Sequence, residues 1–467
     1  MTHPASQPNT APPTIPQTLA LAVLAVVSFQ LAYSFAACTA LMALFAYSLF
    51  ELSRSHSSRF TFYLGLGVGL AAYAPQLSFF WNIFGPAAIA LWLVLSFWLA
   101  TFLLLSRMAR VHFGTIPATL LIPFLWTGLE YFRSELYYLK FSWMNIGYAF
   151  SSNVPMAFLH FTGIYGIGFL LMAAIALTSL LKGKTLFLTR LAMFTVFAIA
   201  LNQPRPSQAA LDPAKQLSVA GVQLEFPSEK EAVFHLNKLF KSHPDAQLFV
   251  LSEYTFNGPV PQIIMEWCRE HKRHLIIGAK DPVSADDFND TAFVINPSGE
   301  IIFRQGKSVP IQFFKDGLPA KEQNLWNSPW GKIGICICYD LSYSRVTDGL
   351  IRLGAQAIIV PTMDLVDWGR HQHELHARVA PIRAAEYAVP IFRLASSGIS
   401  QSVCRTGEVL ASAPMPGEGA ILACTLDLGR PGTLPLDRLI APISVGIATI
   451  AIFGLLFASF RRRNVSA

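Results

Sequence analysis

The chain has 467 residues, of which 53% are hydrophobic and only 13% are charged, and its mean hydropathy is +0.44. This composition excludes an ordinary soluble enzyme and predicts a membrane protein with a soluble part. The formal net charge of +7 does not indicate nucleic-acid binding, because the basic residues cluster beside apolar segments. Six cysteines are scattered without the spacing of a metal site or a disulfide framework, so we expect no metal and no cofactor.

The first part of the chain predicts seven membrane spans. Residues 1–17 are polar, rich in proline and without lysine or arginine, so we expect a disordered tail and not a secretory signal. Residues 18–50 are too long for one apolar span of about 20 residues, and we divide them near Ser34 into two spans. Five further apolar segments lie near 60–80, 87–106, 115–132, 155–181 and 185–201.

The basic residues between these segments predict the orientation of the spans. With the N-terminus in the cytoplasm, the connections that contain Arg54, Arg107 and Lys182 all face the cytoplasm, as the positive-inside bias requires. An eighth apolar segment precedes Arg461, which returns the C-terminus to the cytoplasm. We therefore predict a seven-span membrane domain, an outer-face domain, a C-terminal transmembrane helix and a cytoplasmic basic tail, over residues 18–203, 204–438, 439–460 and 461–467.

The outer-face part has the pattern of an α/β domain from Leu217 onward. Strand-like runs lie at 217–222, 247–251, 275–278, 292–295, 333–338, 357–360 and 391–394, and helical patterns lie near 229–242, 260–271 and 371–388. A layered domain of roughly 220 residues is large enough to bury a core of its own.

Three reactive side chains follow strand-like runs in this domain. Cys338 ends an apolar run, Glu253 follows another, and Lys307 comes just after a predicted β-hairpin. These side chains suit acyl transfer through a thioester, because a carboxylate takes the thiol proton and an ammonium stabilises thiolate and oxyanion. Each residue alone is more readily explained as core packing or a surface salt bridge. Jointly they predict an acyl-transfer site.

The chain resembles a known family in these residues. Glu253, Lys307 and Cys338-Tyr339-Asp340 resemble, in this order, the Glu–Lys–Cys triad of the nitrilase or carbon–nitrogen hydrolase superfamily. With the predicted spans, the chain is similar to the apolipoprotein N-acyltransferase family. Further resembling segments are Trp126 to Arg133, Phe141 to Trp143, Gly147-Tyr148, Gly163 to Phe169 and Arg383 to Glu386.

The resemblance implies a fold, a location and a reaction. The fold would be about eight spans in a bacterial inner membrane with a nitrilase-like α-β-β-α sandwich in the periplasm. Cys338 would take an acyl chain from a phospholipid such as phosphatidylethanolamine and pass it to the amine of a diacylglyceryl-cysteine lipoprotein. The implied catalytic residues are Glu253, Lys307 and Cys338, and the implied supporting or substrate-binding residues are Tyr339, Asp340, Trp143, Tyr148, Phe313, Phe314, Asp316 and Glu386. We expect a monomer.

Departures from the family pattern keep other functions open. The family usually has a Glu shortly after the lysine, whereas Lys307 to Asp316 contains none, and Asp316 is the candidate replacement. A divergent paralogue is therefore considered, either a membrane-tethered amidase in which water replaces the amine or an inactive lipoprotein-binding protein. Phe313 and Phe314 are predicted to form a lipid-touching lid.

Two other pairs are interpreted without a chemical role. His371 and His373 lack converging partners for a metal site, so we expect them to serve packing or to lie at the surface. Cys336 and Cys338 are two residues apart on one predicted strand, so we expect them on the same face, both reduced.

Overall fold

The computed structural model describes residues 12–152, 156–181, 183–201 and 215–465. The chain forms two units, a helical unit of Met1–Pro204 with Leu436–Ala467 and an α/β unit of Arg205–Pro435. Among its described residues, the helical unit contains a C-terminal helix, Asp437–Val465, and eight α-helices before the α/β unit. These are α1 Ile15–Ser34, α2 Met42–Leu52, α3 Ser58–Gln76, α4 Phe80–Phe84, α5 Ala87–Phe113, α6 Thr115–Tyr131, α7 Met156–Thr178 and α8 Gly183–Leu201.

Helix α1 begins inside the segment predicted to be a disordered tail. Thr14 caps the helix, since its hydroxyl accepts a hydrogen bond from the Gln17 N–H while the Gln17 side chain accepts one from the Thr14 N–H. The end of the predicted tail, 1–17, is therefore helical, and residues 1–11 lie outside the described residues. Helix α1 ends at Ser34, where the sequence predicts a break, and the extended residue Phe35 separates it from the next turn.

Four stretches among the described residues are long and apolar enough to cross a membrane: Ile15–Ser34, Ala87–Phe113, Phe158–Thr178 and Asp437–Ser459. The other predicted spans coincide with α3, α6, α8 and the apolar stretch Ala36–Leu52, and their crossing of a membrane is not established. The predicted count of about eight spans is thus not confirmed. The C-terminal helix continues to Val465, so most of the predicted basic tail is helical.

Helix α7 is broken at Gly163, and the carboxylate of Asp437 lies at the break. Gly163 has φ +74°, and a Cβ there would stand 2.1 Å from the carboxylate of Asp437. Asp437 accepts a hydrogen bond from the Tyr165 N–H at 2.9 Å, which supplies a partner for backbone freed by the break. The start of the C-terminal helix is in this way fixed to α7, at the segment that contains the family-like glycines.

The α/β unit contains twelve strands in two sheets of six, with orders β12-β1-β2-β3-β4-β5 and β11-β10-β9-β8-β7-β6. The strands are β1 Gln216–Val222, β2 Leu248–Val250, β3 His274–Pro282, β4 Phe288–Ile295, β5 Ile301–Gly306, β6 Leu325–Ser328, β7 Gly331–Ile335, β8 Ala357–Thr362, β9 Ile391–Ala395, β10 Ser400–Val403, β11 Val409–Ala413 and β12 Ile421–Asp427. The helices are α9 Glu229–Ser242, α10 Gln262–His271, α11 Ser344–Arg352, α12 Arg370–Ala377 and α13 Val379–Tyr387.

The core of this unit lies between the two sheets. Val219 of β1 and Ile359 of β8 belong to one buried apolar cluster that both sheets share. A second cluster joins Phe249 of β2 to Ile264 of α10 on the other face of the first sheet. The predicted α/β class with stacked sheets is therefore confirmed.

Several predicted elements end elsewhere in the structure. The strand predicted at 333–338 stops at Ile335, and the helical pattern at 371–388 forms two helices that meet at Arg378. The sequence analysis did not predict β6, β10, β11 and β12. Three of these, β6, β11 and β12, lie at the edge of their sheet and are partly exposed, so their residues lack a strong apolar pattern.

Candidate active site

Side chains of the candidate site follow the carboxyl ends of parallel strands in the two sheets. β1, β2 and β3 run parallel in one sheet, and β7, β8 and β9 run parallel in the other. Glu253 comes three residues after β2, Cys338 comes three residues after β7, and Asp364 comes two residues after β8. Because the carboxyl ends of parallel strands lie at one edge of a sheet, these side chains are delivered to a common region.

Cys338 lies in a sharp turn and not on a strand. Ile333, Ile335 and Ile337 point into the core between the sheets. Gly334 faces α11, since a Cβ there would stand 3.0 Å from Leu350. Cys338 has φ +50°, a left-handed conformation that is uncommon for residues other than glycine and is frequent at functional sites.

This turn separates the two cysteines of the motif. Cys336 is surrounded by the charges of Asp340 and Arg383, whereas the neighbours of Cys338 are Glu253 and Lys307. The prediction that the cysteines share one face is therefore wrong, because the left-handed turn ends the strand alternation before Cys338. All six cysteines are free, in agreement with the expected reduced state of this pair.

Glu253 joins the lysine and the cysteine. Its Oε1 lies 2.7 Å from Lys307 Nζ, and its Oε2 accepts a hydrogen bond from the Met363 N–H at 2.6 Å. The Cys338 thiol contacts the Met363 carbonyl at 3.6 Å, and Glu253 and Lys307 are among the charged groups that act on it. The structure thus brings together the three predicted catalytic side chains, all of them buried.

Burial and the neighbouring charges determine whether Cys338 and Lys307 are protonated. Burial and the Glu253 carboxylate raise the pKa of the Cys338 thiol well above its ordinary value, although Lys307 opposes the shift. Burial alone would lower the pKa of Lys307, but Glu253 and Asp316 outweigh it and raise that pKa. At neutral pH the site therefore holds a thiol and an ammonium, and Cys338 needs a base to become a nucleophile.

Asp316 occupies the position beside the lysine that the sequence analysis assigned to it. Its Oδ2 lies 2.7 Å from Lys307 Nζ and accepts a hydrogen bond from the Ile311 N–H at 2.6 Å. Its Oδ1 accepts a hydrogen bond from the Tyr254 hydroxyl at 3.0 Å. The shortened loop after Lys307 therefore still returns a carboxylate to the ammonium.

Asp340 connects the lysine loop to the cysteine turn. Its carboxylate accepts hydrogen bonds from the backbone N–H groups of Ser308 at 3.0 Å and Val309 at 2.7 Å, and from that of Ile337 at 3.3 Å. Burial raises the pKa of Asp340 to about 6, against the effect of these donors. Asp340 thus fixes the residues next to Lys307 against the residue before Cys338.

A fourth carboxyl in the group, Asp290, was not found from the sequence. It lies on β4, is fully buried, and its Oδ2 is 3.5 Å from Lys307 Nζ. Carboxylate oxygens of Glu253, Asp290 and Asp316 all lie within 4.8 Å of one another. The available signal was the hairpin register, which pairs Thr291 with Gly306 and so places Asp290 beside Lys307.

A second buried polar cluster, which we name the Asp364 cluster, lies next to Met363 and was likewise missed. Asp364 accepts hydrogen bonds from His376 Nδ1 at 2.7 Å, Arg393 Nη2 at 2.5 Å and Gln372 Nε2 at 3.2 Å. Burial would raise the pKa of Asp364, but His376 and Arg393 outweigh it and hold that pKa well below its usual range.

The remaining predicted residues lie in several different parts of the structure. Tyr339 packs its ring against Tyr343 at 4.9 Å between centroids. Glu386 pairs with Arg383, which donates to the carbonyls of Leu341 and Ser342 just after the cysteine turn. Phe313 and Phe314 are exposed, His371 is partly exposed and His373 is buried against the Asp364 cluster, while Trp143 and Tyr148 are buried in the helical unit.

Comparison with known proteins covers both units. A family model for the apolipoprotein N-acyltransferase N-terminal domain matches residues 21–177, and one for the carbon-nitrogen hydrolase domain matches residues 239–434. The chain is 23% identical over 437 residues to an apolipoprotein N-acyltransferase of Geobacter metallireducens, covering 80% of this chain and 82% of that one. The chain therefore contains an apolipoprotein N-acyltransferase N-terminal domain followed by a carbon-nitrogen hydrolase domain.

Two other similarities accompany these domain matches. An apolipoprotein N-acyltransferase of Bdellovibrio bacteriovorus is 26% identical over 199 residues, which are 36% of each chain. The solved carbon-nitrogen hydrolase from Helicobacter pylori is 18% identical, with a TM-score of 0.40, covering 46% of this chain and 90% of that one. The two domain matches and the names of these relatives support, at the family level, an acyltransferase of the carbon–nitrogen hydrolase superfamily that N-acylates lipoproteins.

The two matched domains of this chain contain different residues of the predicted site. Trp143 and Tyr148 fall in the residues matched by the N-terminal domain, within the helical unit. Glu253, Lys307 and Cys338 fall in the residues matched by the hydrolase domain. The three predicted catalytic side chains therefore all belong to the α/β unit.

Proposed function

We propose that this chain moves an acyl chain from a phospholipid to the N-terminal amine of a diacylglyceryl-cysteine lipoprotein, through a thioester on Cys338. The observation that carries the proposal is the buried grouping of Glu253, Lys307 and Cys338, in which the Glu253 carboxylate lies 2.7 Å from the Lys307 ammonium and binds the N–H of Met363, the residue whose carbonyl contacts the Cys338 thiol. Phosphatidylethanolamine is the proposed donor. The similarity to an apolipoprotein N-acyltransferase supports the lipoprotein acceptor, and the apolar helices support a lipid donor.

The first half-reaction forms the thioester. Glu253 takes the proton of the Cys338 thiol as the sulfur attacks the carbonyl carbon of the phospholipid ester. The carbonyl oxygen becomes an oxyanion, and the Lys307 ammonium supplies positive charge to stabilise it. When the C–O bond breaks, the leaving alkoxide takes the proton from Glu253 and departs as lysophospholipid.

The second half-reaction uses the same groups in reverse order. The free α-amine of the lipoprotein attacks the thioester carbonyl, and Glu253 accepts a proton from the attacking nitrogen. The C–S bond then breaks, the sulfur recovers a proton from Glu253, and the acyl chain leaves as an amide. Because every proton passes through Glu253, one base serves both halves.

The dryness of the site supports an amine acceptor over water. Glu253, Lys307 and Cys338 are each no more than 2% exposed. A site closed to water protects a thioester from hydrolysis until the amine of the acceptor arrives. We infer that an incoming substrate must displace or thread past the neighbouring loop, where Phe313 and Phe314 are 68% and 44% exposed. These two rings are the proposed lid for the lipid chains.

We place the α/β unit in the periplasm, on the outer face of a bacterial inner membrane. Both proposed substrates are held in one leaflet by their acyl chains, so the enzyme has to be anchored at the same surface. The predicted spans supply this anchor, and the basic residues between them support the orientation. Since one chain provides the base, the ammonium and the nucleophile, the proposed enzyme works as a monomer.

The experiment follows the acyl group on the full-length protein. The purified chain is incubated in detergent with phosphatidylethanolamine that carries a labelled acyl chain, and the peptide containing Cys338 is examined by mass spectrometry. A synthetic diacylated lipopeptide or buffer alone is then added. We expect an acyl adduct on Cys338 that lipopeptide discharges and buffer does not.

Two variants control this experiment. Cys338→Ala should form no adduct, whereas Cys336→Ala should form it as the unchanged protein does, because Cys336 faces Asp340 and Arg383. Discharge by buffer at the same rate as by lipopeptide would make the protein an amidase. Absence of any adduct in a folded protein would make it an inactive lipoprotein-binding paralogue.

A further inference from the structure

The acidic group around Lys307 contains more carboxyls than its one ammonium can neutralise. Glu253, Asp290 and Asp316 place carboxylate oxygens within 4.8 Å of one another, and all three side chains are buried. Like charges this close in a buried site cannot all remain ionised, so a proton must reside on one of the carboxyls. The hydrogen-bond donors around each carboxyl indicate which one holds it.

Two of the carboxyls are well supplied with donors. Asp316 receives the Lys307 ammonium, the Ile311 N–H and the Tyr254 hydroxyl. Glu253 receives the Lys307 ammonium and the Met363 N–H. Donors of this kind stabilise an ionised carboxylate. Both oxygens of Asp316 and both oxygens of Glu253 therefore have a donor or a cation as partner.

Asp290 has the opposite surroundings. Neither of its oxygens receives a hydrogen bond from an N–H or O–H group of the described residues, and Lys307 Nζ is 3.5 Å away. Its carboxyl nevertheless lies next to that of Glu253, with oxygens of the two groups within 4.8 Å of each other. Two carboxyls can share a hydrogen bond only if one of them carries the proton.

Other charged or titratable groups near Asp290 do not change this assignment. Lys280 pairs with Asp290 across β3 and β4, but its ammonium lies over the ring of Phe288 at 4.3 Å. Tyr254 donates its hydroxyl to Asp316, and Cys338 is a neutral thiol. Burial and the Glu253 carboxylate raise the pKa of Asp290 well above its ordinary value.

We propose that Asp290 is a positioning residue of the active site, which holds the resting proton and donates it as a hydrogen bond to Glu253. The neutral Asp290 keeps Glu253 in the ionised form that accepts the thiol proton, and it adds no negative charge beside the developing thiolate. This inference rests on the proposed role of Glu253 as base. It assigns Asp290 no bond to the substrate.

The proposal predicts a change in the pH dependence of the cysteine. As pH rises, Asp290 releases its proton before Cys338 does, because a carboxyl starts from a much lower ordinary pKa than a thiol. The thiolate of the unchanged protein must then form beside an extra carboxylate. Asp290→Asn keeps the shape and a donor for Glu253 but never acquires the charge, so its thiolate forms at lower pH.

The test measures Cys338 without any lipid substrate, so that it is independent of the acyl-transfer proposal. All proteins carry Cys336→Ala, and alkylation of the remaining cysteine in this peptide by iodoacetamide is followed by mass spectrometry from pH 6 to 10. We expect the alkylation midpoint of Asp290→Asn about one pH unit or more below that of the parent. The control Asp281→Asn removes a partly exposed carboxylate on β3 that pairs with Arg304, and its midpoint should not move.

The same variants also separate the two proposals. In the lipid assay, Asp290→Asn should keep its own neutral-pH rate of Cys338 acylation at alkaline pH, whereas the rate of the parent should decline there. An alkylation shift without acyl adducts in any protein would refute the acyltransferase and leave the Asp290 assignment standing. Superimposable alkylation profiles of Asp290→Asn and parent would overturn the assignment, and Asp290→Ser replaces the Asn variant if the latter does not fold.

Discussion

The α/β unit contains two buried ionic clusters that differ in how well their charges are balanced. In the Asp364 cluster, one carboxylate receives hydrogen bonds from Arg393, His376 and Gln372. Around Lys307, three carboxyls and a thiol share a single ammonium. The first cluster holds its carboxylate firmly ionised, whereas the second forces a carboxyl and a thiol to keep their protons.

This difference suits the Asp364 cluster to stabilising the fold and the residues around Lys307 to proton transfer. A carboxylate with strong donors on both oxygens has no tendency to accept another proton, and its removal leaves a buried arginine unpaired. Where carboxyls and a thiol outnumber the cations, some of them stay protonated near neutral pH and can transfer those protons. General acid–base catalysis requires such transferable protons. The two clusters lie on either side of Met363, whose N–H binds Glu253 and whose next residue is Asp364.

The largest expected effect follows from removing the ammonium from the Lys307 group. Lys307→Met keeps the apolar stem but leaves Glu253, Asp290 and Asp316 without their shared cation. We expect the rate of acyl-adduct formation on Cys338 to fall by about 10²–10³-fold or more, because the oxyanion loses its positive partner. The adduct assay measures this rate. An adduct rate within threefold of the parent would exclude Lys307 from the reaction.

Breaking the Asp364 cluster should instead affect stability. Arg393→Met removes the 2.5 Å partner of a fully buried carboxylate, and we expect a loss of about 3–5 kcal/mol in the free energy of unfolding. Thermal unfolding in detergent measures the change.

The matched control for this variant is Arg405→Met. Arg405 pairs with Asp427 at 3.1 Å, but both side chains are about one fifth exposed, so the loss should be at most about 1 kcal/mol. Equal losses in the free energy of unfolding for the two variants would show that the Asp364 cluster stabilises the fold no more than a partly exposed ion pair does.

A smaller effect is expected from Asp316, the candidate replacement for the Glu that the family usually has. Asp316→Asn removes one of the two carboxylates at 2.7 Å from Lys307 and should lower the rate of adduct formation about tenfold, since the ammonium is held less firmly. Asp316→Glu should retain most of the rate if the loop adjusts to the longer side chain. A rate unchanged in the Asn variant would show that Glu253 alone is sufficient to hold Lys307.

The sequence was sufficient to predict the α/β unit and the three reactive side chains because these depend on local patterns. Apolar runs followed at once by Glu253 or Cys338 are visible in the chain itself. Asp316 was found as well, through the resemblance and not through its spacing. These residues needed no knowledge of how distant strands pair.

Asp290 and Asp364 could not be assigned in this way. The role of Asp290 depends on the register between β4 and β5 and on burial of a charged residue within an apolar strand. Asp364 acquires its partners from α12 and β9, 12 and 29 residues further along the chain. The left-handed turn at Cys338 is set by tertiary packing, and strand alternation therefore failed there.

The smallest expected effect is also the most specific, because two Asp→Asn changes should alter stability in opposite directions. The folded pKa of Asp364 lies well below its ordinary value, so Asp364 stabilises the fold above the unfolded pKa of about 3.9, and this contribution is lost as pH falls through the folded pKa. The folded pKa of Asp290 is raised, so its contribution is lost as pH rises toward that folded pKa. At pH 7 Asp364→Asn should therefore lower Tm, whereas Asp290→Asn should raise it by about 2–4 °C, or roughly 1 kcal/mol. Thermal unfolding of both variants between pH 4 and 8 measures this, and a Tm that falls in both would mean that Asp290 is ionised at neutral pH.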